Sequence, residues 1–417
     1  MDKGSGSCGA DFGGLVEEGR VRTDVYTDPA VFDAEMERIF GRTWVYVGHT
    51  SEIAEPGDYK TTSIGTEPVI LSRDNAGEVH VLFNRCRHRG TAVCQRERGN
   101  ARYFRCGYHG WTYEADGRLI GVTYPSGFDA SFKHAEMGLL EVPRIGVHRG
   151  FIWASLAREG PSLQEHLGVA REYLDEICDI SPVGEIELTA GSQRFGYDGN
   201  WKLQMENGVD GYHPNFVHQS FAVIMREVLG DRMKVDFKTS YGDDSPAVSR
   251  DLGNGHGVID QRVFAPTSAD ERNGGGFIMS VFPNLILLFG AQVRTIHPIA
   301  VDRTEVTVQP VMLKGLPELT ERRLRAHEWF FGPAGFGQPD DTEMFVRISR
   351  GLRAKSVEWV NLSRGLFRER AENGTRVGPI LDEVAPRGFY RMWKRLMAGA
   401  AVNPMAARTG GARDSGG

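Results

Sequence analysis

Two short loops of this 417-residue chain each pair a cysteine with a histidine. NRCRHRG at 84–90 carries Cys86 and His88, and FRCGYHGW at 104–111 carries Cys106 and His109. Seventeen residues separate His88 from Cys106. Thiolates and imidazoles together suit zinc, copper or an iron–sulfur cluster. A structural zinc site draws on CxxC and HxxxH arms, whereas each arm here offers one Cys and one His. A two-iron cluster with two Cys on one iron and two His on the other needs that composition. Imidazole in place of thiolate raises the reduction potential to roughly −150 to +300 mV, and such a centre passes one electron at a time. Gly90, Gly107 and Gly110 give the backbone room to pass close to a cluster. Cys94 lies outside the pattern and reads as a small buried hydrophobe.

A second group of metal-ligand types lies in ENGVDGYHPNFVHQ at 206–219, which holds Asp210, His213 and His218. Two His and one carboxylate on one face of an iron leave the other face open for O₂ and substrate. Five residues on an ideal helix would set His213 and His218 too far round from one another. Pro214 disfavours helical geometry at His213 and is expected to break the helix so that the rings converge. The pattern is not HExxH, so a zinc-protease reading has no support. The carboxylate is expected from GPAGFGQPDDTEMF at 332–345. There Asp340 is expected to cap a helix with Glu343 three residues on, and Asp341 in the first turn to face the iron. Asn207, Val209 and Phe216 are candidate substrate-lining residues because they neighbour these ligands in sequence.

These residues need elements to hold them. From Trp44 to about Leu156, short runs rich in β-branched and aromatic residues (WVYVG, PVILSRD, EVHVLFN, RYFRC, GFIWASL) alternate with Gly, Pro, Asn and Asp, which predicts an all-β domain. Residues 29–40 and 162–177 have helical periodicity, as do 316–330, 341–355 and 386–398. Residues 275–313 predict a long antiparallel meander. Strand alternation in it places Ile286, Leu288, Gln292, Arg294 and Ile296 on one face. If that face lines a cavity, Arg294 is a candidate for holding a substrate carboxylate with both ends of its guanidinium. Residues 1–20 are Gly-rich and expected to be mobile, and the tail from Ala406 disordered.

Composition excludes some roles. A net charge of −6 argues against non-specific nucleic-acid binding and against a polybasic membrane anchor. No apolar run approaches the ~20 residues of a membrane span. The stretch MDKGSGSCGADFGG lacks the apolar core of a secretory signal. Five scattered cysteines are too few for a disulfide scaffold, so a cytoplasmic location with reduced thiols is expected. No Gly-rich segment has the strand–turn–helix context of a dinucleotide site.

CxH-x17-CxxH is the Rieske pattern. With DGYHxxxxH and a downstream GPAG…DD, the chain resembles the large (alpha) subunits of Rieske non-heme iron aromatic-ring-hydroxylating oxygenases, over about residues 40–395. NWKLQMENGVDGYH at 200–213 looks closest to members acting on benzoate, salicylate and anthranilate. The resemblance implies an α+β chain: an N-terminal all-β Rieske [2Fe-2S] domain at 41–157, then a helix-grip catalytic domain with an antiparallel sheet at 158–405. Residues 1–40 would pack on the catalytic domain, and 406–417 would be a disordered tail. Cys86, His88, Cys106 and His109 would hold the cluster; His213, His218 and Asp341 would hold a mononuclear Fe(II). The implied function is hydroxylation of an aromatic carboxylate with O₂, giving a cis-dihydrodiol or a hydroxylated product. Electrons would come from NADH through a separate reductase, with or without a ferredoxin. A homotrimer, or an α₃β₃ assembly with a small beta subunit, is implied. In it Asp210 would bridge His213 and His109 of the partner subunit, Asp210 and His213 sharing one side of a helix. The alternatives are a Rieske monooxygenase or O-demethylase on an aromatic acid, and an electron-transfer Rieske protein.

Overall fold

Runs that are apolar at nearly every position become strands buried along their whole length. Val45–His49 and Phe151–Ser155 are two of these, paired antiparallel, with Arg144–His148 on the far side of Phe151–Ser155. The computed structural model describes residues 10–229, 240–264 and 276–398; Cys8 and the tail from Ala406 lie outside them. In this first half a four-stranded antiparallel sheet runs in the order Val79–Phe83, Glu67–Arg73, Asp58–Ile64, Arg98–Asn100. A smaller sheet joins Tyr103–Arg105, Thr112–Glu114 and Leu119–Gly121. The two Cys/His loops leave the ends of Val79–Phe83 and Tyr103–Arg105.

The second half is built on nine antiparallel strands. Their order is Gln193–Tyr197, Arg303–Pro310, Gln292–Ala300, Leu285–Leu288, Phe277–Val281, His256–Asp260, Val248–Gly253, Thr375–Pro379 and Arg370–Glu372. The expected meander is its centre. Both faces of that centre are covered, which is why LILL at 285–288 is buried at all four positions. Leu285, Leu287 and Val293 pack with Trp44, Tyr46 and Trp153 from the first half. Ile286, Leu288 and Ile296 pack the other way, with Trp201, Phe345 and Trp393 from the helices. The predicted alternation of that strand pair therefore holds. Asn284 ties the two halves by exchanging hydrogen bonds with the Tyr46 backbone, 3.0 Å each.

Three expectations are corrected. Residues 10–20 are not a mobile leader: Gly13–Leu15 forms a 3₁₀ turn, and Val16–Glu17 pairs with Arg20–Arg22, which in turn pairs with Trp359–Asn361. Val16 and Val21 are buried there, and that burial outweighs the flexibility of the glycines. The helix over 162–177 is two, Leu163–Leu167 and Ala170–Asp179. Gly168 ends the first at φ +48°, open to glycine and rarely to other residues. The helix at 29–40 is α only over Pro29–Glu35, then turns π-helical over Met36–Phe40.

That N-terminal helix delivers Glu35, which is fully buried. Its carboxylate accepts from Lys202 Nζ at 2.6 Å, Trp201 Nε1 at 2.8 Å and Trp393 Nε1 at 2.6 Å. Trp201 and Lys202 open the helix Lys202–Asn207, and Trp393 belongs to Val384–Met397. One carboxylate thus joins three helices on the same face of the sheet. Removing a single partner leaves an uncompensated buried charge, so Glu35→Leu or Lys202→Met should each cost about 3–5 kcal/mol of unfolding free energy, and the double variant clearly less than their sum. Denaturant titration of the full chain, followed by tryptophan fluorescence, measures this. Strictly additive losses would show that the two charges do not sustain each other.

Candidate metal centres

The two Cys/His loops repeat one turn. Cys86 N donates to Thr91 O and Gly90 N to Cys86 O; in the second loop Cys106 N donates to Trp111 O and Gly110 N to Cys106 O, all at 2.8–3.0 Å. Gly90 and Gly110 have φ of +78° and +70°, which explains glycine at the same point of each turn. Gly107 is different: its φ is not positive, and an added Cβ would meet nothing within 4 Å. The turns send both cysteines inward, 3% and 2% exposed, and leave His88 exposed and His109 half-buried. The His88 and His109 Nδ1 atoms stand 3.1 Å apart, close enough to share one ion at the ~2.1 Å of a metal–imidazole bond. Two buried thiols behind two outward imidazoles fit a cluster with one Cys₂ iron and one His₂ iron. Sequence reading missed Tyr113, whose hydroxyl lies 3.1 Å from Cys86 Sγ and accepts from Arg87 N at 3.2 Å. Burial and this bond to Cys86 push its pKa up. Trp111 stacks on His88 at 5.0 Å between centroids. Burial raises the Cys94 thiol to about 12 and Cys178 to about 11, which leaves both as inert hydrophobes.

The second group converges on one oxygen. Asp341 Oδ1 lies 3.6 Å from His213 Nε2 and 3.4 Å from His218 Nε2. One ligand atom from each of the three falls within 4.8 Å of the others. His213 precedes the short helix Pro214–Val217 and His218 closes it; Asp341 sits in the first turn of Gln338–Gly351. The chain turns sharply, as expected, but not by the expected route. His213 is in the α region (φ −68°, ψ −31°), and Pro214 takes the first helical position, where its fixed φ fits and its missing N–H costs nothing. The breaks are the non-helical stretch before His213 and His218 itself (φ −97°, ψ 23°). Asp210 is likewise in the loop, not on a helix with His213. It reaches His213 all the same, Oδ2 to Nδ1 at 3.3 Å, while Oδ1 accepts from Tyr212 N at 2.7 Å. Nor does Asp340 cap the helix, which begins earlier, after Gly337. Its carboxylate accepts from Ser220 Oγ at 3.2 Å and stands 3.6 Å from His218 Nδ1.

Each imidazole therefore aims Nε2 at Asp341 and turns Nδ1 to another carboxylate, the arrangement by which outer carboxylates orient metal-binding histidines. The buried His218 Nδ1 has no hydrogen bond among the described residues. The donor set, two imidazoles and a carboxylate on one side, fits a mononuclear iron with open positions. Burial disfavours charge on both rings. At His213 the bond to Asp210 and the charges of Asp210 and Asp341 outweigh it and hold the pKa above the usual value; at His218 burial prevails and lowers it.

The remaining candidates scatter. Asn207 touches two of the three groups, Nδ2 lying 3.3 Å from His213 Nε2 and 3.2 Å from Asp341 Oδ1. Val209 is buried among Ile259, Ile380 and Ala385. Phe216 is 66% exposed, against Tyr212. Arg294 is 3% exposed and pairs with no carboxylate among the described residues; Nε donates to Gln292 Oε1 at 2.6 Å and Nη2 to Phe331 O at 3.4 Å. Burial lowers its pKa to about 10, with Asp341 in electrostatic reach. No helix of the described residues is long and apolar enough to cross a membrane.

Residues 43–133 match the Rieske [2Fe-2S] domain, and residues 166–399 match the ring-hydroxylating alpha subunit catalytic domain. The chain is 35% identical to the 2-halobenzoate 1,2-dioxygenase large subunit of Burkholderia cepacia, over 83% of this chain and 80% of that one. It is 34% identical to the anthranilate 1,2-dioxygenase large subunit of Acinetobacter baylyi, over 91% and 89%. Among solved structures it resembles naphthalene 1,2-dioxygenase from Rhodococcus sp., at a TM-score of 0.78 and 29% identity, covering 91% of this chain and 94% of that one. The catalytic match alone spans more than half of the sequence, and it makes this chain a ring-hydroxylating dioxygenase alpha subunit, an oxidoreductase whose two domains carry a Rieske [2Fe-2S] cluster and a mononuclear iron.

Proposed function

We propose that the chain hydroxylates the ring of an aromatic carboxylate, giving a cis-dihydrodiol or a hydroxylated product, with electrons from NADH relayed by a separate reductase. The observation that carries the carboxylate is Arg294. A buried guanidinium without an acidic partner is costly, and a carboxylate ligand would offset that cost through charge-assisted hydrogen bonds. The cross-strand neighbour of Arg294, Ile286, packs against Gly208, next to Asn207 and the converging His213, His218 and Asp341. When bound, the cluster would supply single electrons and the iron would supply O₂ activation. Cys86, Cys106, His88 and His109 would hold the first, and His213, His218 and Asp341 the second. Asn207 and Asp340 orient that second set.

His213→Ala, His218→Ala or Asp341→Ala should reduce bound iron from about three to about two per chain, leaving the two-iron cluster spectrum intact. Asp340→Ala should keep the site but weaken its iron affinity by about 10–100-fold, as loss of an orienting carboxylate does. Iron analysis and visible absorption decide between these. Loss of iron in Asp340→Ala with retention in Asp341→Ala would reverse the two assignments.

Asp210 is assigned the electron bridge to His109 of the partner subunit, in a homotrimer or an α₃β₃ assembly. What supports this is access: the Asp210 side chain is 31% exposed while bonded to His213, and the two cluster imidazoles face outward. Asp210→Ala should keep cluster and iron yet lose nearly all turnover. Single-turnover reoxidation of the reduced cluster, with substrate and O₂, reads the step; an unchanged rate removes the bridge.

Arg294→Gln should raise KM for an aromatic acid by about 10–100-fold, the worth of hydrogen bonds to a charged group, and for an uncharged analogue by far less. Equal effects on both would remove the carboxylate anchor.

A further inference from the structure

Glu206 sits between two phenols. Its Oε1 accepts from the Tyr390 hydroxyl at 2.5 Å and from the Tyr26 hydroxyl at 3.0 Å, and the two hydroxyls stand 2.7 Å apart. The three residues come from three helices, Asp24–Thr27, Lys202–Asn207 and Val384–Met397. Tyr26 and Tyr390 are 4% and 2% exposed. Burial pushes both hydroxyls far above their usual pKa, so neither loses its proton unaided. Each is nevertheless bonded to a carboxylate. Burial raises the pKa of that carboxylate to about 7, which makes it a ready proton acceptor.

The trio adjoins the iron-ligand set. Asn207, next in the chain, has Nδ2 3.3 Å from His213 Nε2 and 3.2 Å from Asp341 Oδ1. One peptide link therefore separates the residue that holds the phenols from the residue that touches the ligands. Beyond the phenols, the ring of Phe389 lies 5.2 Å from Tyr390 and 5.7 Å from Trp201. Trp201 and Trp393 share Glu35 as their acceptor. Two pairs of easily oxidised rings thus follow one another, each pair bonded to a single carboxylate.

We propose that Tyr390 and Tyr26 form a protective redox pair: when O₂ is reduced with no substrate ring to attack, a phenol supplies an electron and Glu206 takes its proton, which spares His213 and His218. A phenol is oxidised far more easily than an imidazole. The phenolic O–H bond breaks, a carboxyl O–H forms on Glu206, and a neutral phenoxyl radical remains. The electron carries the reduced oxygen toward water, with protons from solvent. One electron from the chain's normal supply, and return of the proton from Glu206, restore the phenol. Tyr212 is a poorer donor, although it neighbours His213. Its hydroxyl meets no carboxylate among the described residues, and the Arg364 guanidinium lies 4.1 Å from its ring centre, where positive charge opposes loss of an electron.

The probe is hydrogen peroxide, which brings oxygen already reduced by two electrons and needs neither reductase nor substrate. It takes two more electrons to become water, one from ferrous iron and one from a phenol. The full chain, with ferrous iron loaded and its cluster oxidised, is mixed with peroxide and frozen rapidly. An organic radical should appear by EPR, and its signal should narrow when the tyrosine rings carry deuterium. His213→Ala, which lacks the iron, should lack the signal, and Tyr212→Phe should keep it. Tyr390→Phe with Tyr26→Phe, and Glu206→Gln alone, should each lose most of it while retaining cluster absorption and iron content. Mass spectrometry should then find more oxidised His213 and His218 than in wild type. Absence of a radical in wild type, or a signal that deuterium leaves unchanged, overturns the proposal. So does a signal that survives the double phenylalanine variant, or one that Tyr212→Phe removes. If Glu206→Gln does not fold, the phenylalanine variants, which each delete one hydroxyl, decide.

Discussion

The site hangs on a buried charge pair that touches no metal ligand. Glu35 and Lys202 meet at 2.6 Å with no exposed surface on either side chain. An isolated charge of that kind would cost several kcal/mol, and the pair is tolerable only because its remaining hydrogen bonds are made. Two indole N–H groups complete Glu35. Such a pair adds little net stability, but it tolerates few other arrangements of the three helices. It fixes the helix Lys202–Asn207 against the N-terminal helix on one side, so the opposite face, with Gln204 and Asn207, is presented to the sheet and to Asp341. Glu206, one turn on from Lys202, extends the network to the hydroxyls of Tyr26 and Tyr390, and burial raises its pKa to about 7. The helix is six residues long, too short to be stable alone, and these buried polar contacts hold it in register.

The two metal centres use opposite means to gather ligands. The Cys/His loops use two copies of one tight turn, each closed by its own backbone hydrogen bonds. The His–His–Asp set uses a broken helix and draws its carboxylate from a helix more than a hundred residues on. Local turns can be read in sequence because the glycine at the αL position is itself part of the pattern. A broken helix cannot, because its breaks depend on what the flanking segments pack against.

That difference explains what was legible. Cys86, His88, Cys106 and His109 stood out by spacing, and the strand alternation around Arg294 was right because period 2 survives burial on both faces. His213, His218 and Asp341 were named, but the reason given for their convergence was wrong: Pro214 starts a helix instead of stopping one. The reading of Asp340 as a cap failed because Gln338 and Pro339 extend the helix toward its N-terminus, and Asp340 is left free to face His218. Tyr113, Gln204 and Glu206 were missed. Nothing in their local sequence marks them, since each acquires its partners, or lacks them, only through tertiary contacts.

Sequence rules of folding favour consistency, and departures from it concentrate where a ligand completes the structure. Arg294 and Gln204 are departures, buried polar side chains left partly or wholly unpaired among the described residues. An apolar residue at either position would suit the surrounding core, where Ile286, Ile296 and Val308 already pack. Both lie on regular elements, a central strand and a helix pinned by Glu35, so their polar atoms keep fixed directions at little further entropic cost. Phe216 and Tyr212, by contrast, sit on the exposed loop and short helix around His213 and are 66% and 42% exposed. On the proposed function, Arg294 would hold the substrate carboxylate from a central strand, and Asp210 would meet another copy from the exposed segment before His213, so the two contacts fall on separate elements of the fold.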